Sequence, residues 1–115
     1  DVHVVCVDGP AYDLLHTMSK VLSFGVPIES VVALSTNRPA LAIGRPELGH
    51  LGVGAIADVA VLDIVDADIA FSDVHGNSRK GARLIRALNA FNTGREVELT
   101  RRPFEDRFCS DAVPA

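Results

Sequence analysis

The sequence predicts an α/β segment that gives way to a β segment, and three observations carry that reading. The first is a stripe of apolar residues at three- and four-residue steps over 11–22. It is formed by Ala11, Leu14, Leu15, Met18, Val21 and Leu22, the repeat of a helix with one buried face. The second is a change of character at Pro46, after which Gly49, Gly52 and Gly54 punctuate a turn-rich stretch. The third is the pair of apolar runs ADVAVLDI at 57–64 and IAFSDV at 69–74, both of strand length and composition.

Composition narrows the classes of function. The chain has 115 residues, 48% of them hydrophobic and 23% charged, the balance of a globular domain rather than a disordered segment. A net charge of −4 gives no electrostatic case for nucleic acid or an anionic membrane surface. No apolar run approaches the ~20 residues a membrane helix needs. Cys6 and Cys109 lie too far apart in sequence for a zinc spacing and do not demand a disulfide, which fits a reducing cytoplasm.

The elements follow in order. DVHVVCVDGPAYD at 1–13 reads as the end of a strand, closed by Asp8-Gly9-Pro10, which opens the first helix. Proline is pre-set for a first helical position, and Gly25 marks the stop. A second helix is predicted over 28–35, with Ile28, Val31 and Val32 inward, and a third opens at Asn37-Arg38-Pro39 and ends at Gly44. In 57–64, Val59, Val61 and Asp63 share one strand face, and Ala60, Leu62 and Ile64 the other. The strand at 69–74 closes on His75-Gly76-Asn77. The stretch 82–91 has two local readings. Leu84, Ile85, Leu88 and Phe91 fit a helix, whereas the turn Asn92-Thr93-Gly94 before the alternating REVEL argues for a hairpin. Propensity alone favours the helix. From Thr100 onward there is no period, so the tail is expected to wrap over a surface or to move.

One stretch is more specific than any periodicity. Residues 35–64 read STNRPALAIGRPELGHLGVGAIADVAVLDI, with Thr36-Asn37-Arg38-Pro39-Ala40, then Gly49-His50-Leu51-Gly52-Val53-Gly54, then Ala57-Asp58 through Asp63. This resembles the C-terminal signature of the amidohydrolase superfamily, the (β/α)8-barrel metal-dependent hydrolases; Arg38 departs from it, standing where the pattern has Asn. Asp1-Val2-His3, Asp8-Gly9-Pro10-Ala11-Tyr12-Asp13-Leu14 and Thr17-Met18-Ser19-Lys20 resemble the segment after the eighth barrel strand in the amidohydrolase/deacetylase branch. The resemblance covers about 1–99. It implies the end of a (β/α)8 barrel over 1–46, joined to strands of a small β-sandwich over 47–99, with 100–115 as a tail. It also implies a strand at 82–91, against local propensity.

The same resemblance assigns chemistry. It carries the aspartate that ends strand eight onto Asp1, as a ligand of a divalent metal, zinc by resemblance, in a one- or two-ion site. There Asp1 accepts the proton of a water that the metal makes acidic; without the resemblance, it is a solvated terminal residue. His3 shares a strand face with Asp1 and is a candidate substrate contact, with a backbone-bonded loop histidine as the plain alternative. Cys6 reads as a small packing residue, Asp8 as a helix cap and His16 as a surface residue. His50 and His75 fall in glycine-containing turns, and Arg79, Lys80 and Arg83 read as a solvated basic face. The histidines form no H-x-H or H-E-x-x-H. The family's H-x-H on strand one, its bridging lysine or acid on strand four and its histidines on strands five and six cannot be placed in this chain.

The expectation is therefore the C-terminal portion of a metal-dependent amidohydrolase, inactive alone. The parent would cleave a C–N amide or ester bond of a small acylated or cyclic-amide substrate by metal-activated hydroxide. Deaminase-like and dihydroorotase-like ranges are alternatives within the class, and a non-catalytic interaction module is the alternative outside it. The expected partners are a small-molecule substrate, the remainder of the barrel and further copies in a homo-oligomer. The isolated chain is expected to expose Leu14, Leu15, Met18, Val21 and Leu22 and to associate through them.

Overall fold

The computed structural model describes residues 12–100. Three helices lead into a three-stranded antiparallel sheet: α1 (Leu14–Ser23), α2 (Ile28–Ser35), α3 (Asn37–Ala42), β1 (Val59–Ser72), β2 (Ser78–Asn92) and β3 (Arg95–Val97), in sheet order β1-β2-β3.

Local chemistry sets the ends of the helices. The Asp13 carboxylate accepts the His16 amide at 2.8 Å and caps α1, satisfying a donor that the first helical turn leaves without a partner. The predicted opening at Asp8-Gly9-Pro10 lies outside the described residues. Gly25, at φ 86°, lets the chain leave α1. Gly44, at φ 72°, follows α3 two residues after its end.

α1 lies on the β1–β2 hairpin, so the helical half and the sheet share a core. Met18, Leu22, Val31 and Ile85 are buried together, with Leu15, Val21, Val26, Ile28 and Leu62 packed around them. The expectation that the α1 stripe stands exposed is thus corrected: of its residues Leu14 alone stays out, 60% exposed. Polar groups fasten the same contact. Ser19, fully buried, donates from its hydroxyl to the Leu15 carbonyl at 2.7 Å and accepts the Ile85 amide at 2.8 Å. The Lys20 ammonium donates to the Ser72 carbonyl at 2.8 Å. Arg79 donates to the Ser23 carbonyl and stacks over Phe24, 4.7 Å from the ring centroid.

The strand assignments change in one respect. The two predicted strands at 57–64 and 69–74 are one continuous strand, β1, carried through 65–68. The register shifts between Asp66 and Ile69, where Asp66 pairs Arg83 and Ile69 pairs Gly81. Ala67 and Asp68 of β1 thus face Ala82 alone on β2, a bulge of one extra residue that carries the ladder past the poor strand formers Asp66 and Asp68. Residues 82–91 are strand, within β2. Ile69, Phe71 and Leu84 form a second buried cluster, and the Phe71 ring packs where a side chain on Gly81 would stand.

Candidate functional site

The described residues form an apolar groove of about 470 Å³. Leu14 and Met18 of α1, Val32 of α2, Leu51 of the connecting loop, and Val59 and Leu62 of β1 form its apolar walls. Ser35, Thr36, Glu47, His50 and Asp58 supply its polar lining. The 47–51 loop can form one wall because Gly49, at φ 73°, lies directly against the α2–α3 junction. A Cβ there would stand 2.6 Å from the Thr36 carbonyl carbon and 2.8 Å from the Asn37 nitrogen. The spacing of the signature glycine therefore has a steric cause in a backbone-to-backbone approach.

Three titratable groups line the groove. Glu47 pairs with Arg45, and the guanidinium bonded to it holds its carboxyl below the usual glutamate range. His50 uses Nδ1 to accept the Gly52 amide at 3.0 Å, which leaves Nε2 as its outward nitrogen. Asp58 accepts the Thr93 amide at 2.8 Å, and the Gly94 amide donates to the Ala57 carbonyl at 2.9 Å. These two bonds tie the entry of β1 to the β2–β3 turn, where Thr93 and Gly94 both take positive φ, 51° and 78°. The aspartate of the A-D signature is thus structural here: it holds a tight turn whose first residue is unfavourably β-branched. Nothing in the sequence pattern alone told this role from a chemical one.

Of the remaining sequence candidates, the described His16 and His75 do not line the groove. Asp1, His3, Cys6 and Asp8 lie outside the described residues. His16 is corrected from surface to core, 2% exposed, with its ring edge-on to Tyr12 and Phe71 at centroid distances of 4.9 and 5.2 Å. His75 lies in the β1–β2 turn, where the Asp73 carboxylate accepts the amides of His75 and Asn77 and the Asn77 side-chain amide. Those bonds, led by the Asn77 side chain, pull the Asp73 carboxyl below its ordinary range. Among the described residues, no three His, Cys, Asp or Glu side chains come together as a metal site. They do not fit a divalent ion by themselves. No described helix is long and apolar enough to cross a membrane.

Comparison with known proteins places this arrangement. No protein-family model matches the chain. Over 84 residues, 73% of the chain, it is 38% identical to a deacetylase of Brucella anthropi and 40% identical to a deacetylase of Agrobacterium fabrum. The fold superposes on an adenine deaminase with a TM-score of 0.76 at 26% identity, over 80% of the chain. It superposes on a dihydroorotase with a TM-score of 0.74 at 36% identity, over 84% of the chain. The chain belongs to the amidohydrolase superfamily. It spans 21% of the length of the two deacetylases and about a quarter of the two solved structures, 25% and 26%. In those amidohydrolase structures the matched region is the C-terminal part, with a small antiparallel sheet.

Proposed function

We propose that this chain is the C-terminal portion of a hydrolase whose whole length cleaves a C–N amide or ester bond in a small acylated or cyclic-amide substrate. The observation that carries the reading is the 40% identity to a deacetylase over 73% of the chain, in a fold it shares with two solved amidohydrolases. In this reading 1–46 ends a (β/α)8 barrel, 47–99 contributes strands to a small β-sandwich, and 100–115 is a tail. β1 and β2, joined to the helices through the α1 contact, give the barrel end a firm seat.

Asp1 is the residue proposed for chemistry, as the carboxylate at the barrel's eighth strand that binds a divalent metal, zinc by resemblance, and takes a proton from water. The chemistry such an ion supplies when bound is a water acidic enough to ionise near neutral pH. A catalytic zinc takes about three protein ligands, so Asp1 would share the ion with further ligands. His3, two residues along the same strand, is proposed to meet the substrate. The likeness to an adenine deaminase and a dihydroorotase favours a second reading, a deaminase-like or dihydroorotase-like substrate. The proposed setting is the cytoplasm, with the whole protein as a homo-oligomer.

The test uses the protein encoded by the reading frame that carries this chain, purified and analysed for bound metal. It is assayed against N-acetylated amino acids, acetyl esters, cyclic amides and aminopurines. Release of acyl group, ring-opened acid or ammonia, lost on chelation, is the expected result. A folded, zinc-supplied protein that turns over none of these classes, with no H-x-H in its upstream sequence, overturns the reading in favour of a non-catalytic module.

A further inference from the structure

We draw no further inference here: the strongest candidate, the apolar groove between α1, α2, the 47–51 loop and the start of β1, is an unpartnered face, and nothing in the structure shows what covers it.

Discussion

Replacing Gly49 by alanine puts a methyl group where the α2–α3 backbone already stands. Two costs add. The first is conformational, because Gly49 holds φ at 73°, and an L-residue there loses about 1–2 kcal/mol. The second is steric. The new Cβ falls 2.6 Å from the Thr36 carbonyl carbon and 2.8 Å from the Asn37 nitrogen. Both are backbone atoms that cannot rotate aside, and forced shifts of this kind cost about 1–3 kcal/mol. Gly54→Ala separates the two, since Gly54 has φ 88° and nothing within 4 Å of its Cβ position; it should lose the conformational part alone. Urea unfolding of each variant, followed by circular dichroism, measures the difference directly. The expected order is wild type, then G54A, then G49A, with the last two separated by about 1–3 kcal/mol. Equal losses at the two sites would refute the close approach of the 47–51 loop to the helix junction.

Other substitutions probe the remaining contacts. Ser19→Ala removes the acceptor of the Ile85 amide inside the core and should cost about 1–3 kcal/mol; an unfolding midpoint unchanged in S19A rejects the docking of α1 on β2 described above. Thr93→Asn relieves a β-branched residue at φ 51° and should stabilise the turn by about 1 kcal/mol, read as a higher unfolding midpoint. Asp73 has a depressed carboxyl pKa in the folded chain, so its contribution is complete above the ordinary aspartate pKa of about 3.9. That contribution fades as the pH falls through the lower folded value. In an NMR titration the His75 and Asn77 amides should shift with a midpoint below that of an unfolded aspartate, and D73N should abolish the shift; a midpoint at or above the ordinary value contradicts the bonding around Asp73.

The helices were legible because their punctuation is local. Gly25 and Gly44 mark two of their ends, and the second helix occupies 28–35 as the apolar spacing predicts, with Val31 buried but the predicted inward Val32 exposed. The rotation of α1 was not legible. Counting apolar letters puts Leu14 in the buried stripe and His16 outside it, yet the buried sector centres on Leu15, Ser19 and Leu22, with His16 at its edge. In that orientation the Ser19 hydroxyl serves the Ile85 amide, a long-range bond that no periodicity registers. The continuity of β1 was hidden for a related reason. Asp66 and Asp68 read as a break, but a bulge lets them sit exposed while Val65, Ala67 and Ile69 keep to the inner side. At 82–91 helix propensity lost to cross-strand pairing with β1, since twelve β1–β2 pairs outweigh local preferences worth tenths of a kcal/mol each. As for the site, the signature glycine and aspartate were visible as letters, while their tasks, a backbone approach and a turn clamp, emerge only in three dimensions.

Under the proposed function, Asp1 is an essential carboxylate of the whole hydrolase. The most direct measurement of that role is kcat for Asp1→Asn in the whole protein, on whichever substrate class the wild type hydrolyses, with unfolding temperature and bound metal determined alongside. A fall of about 10²–10⁴-fold, the contribution of a positioned base, is expected in a protein that still folds at the wild-type temperature. Activity retained within about tenfold of wild type would contradict it.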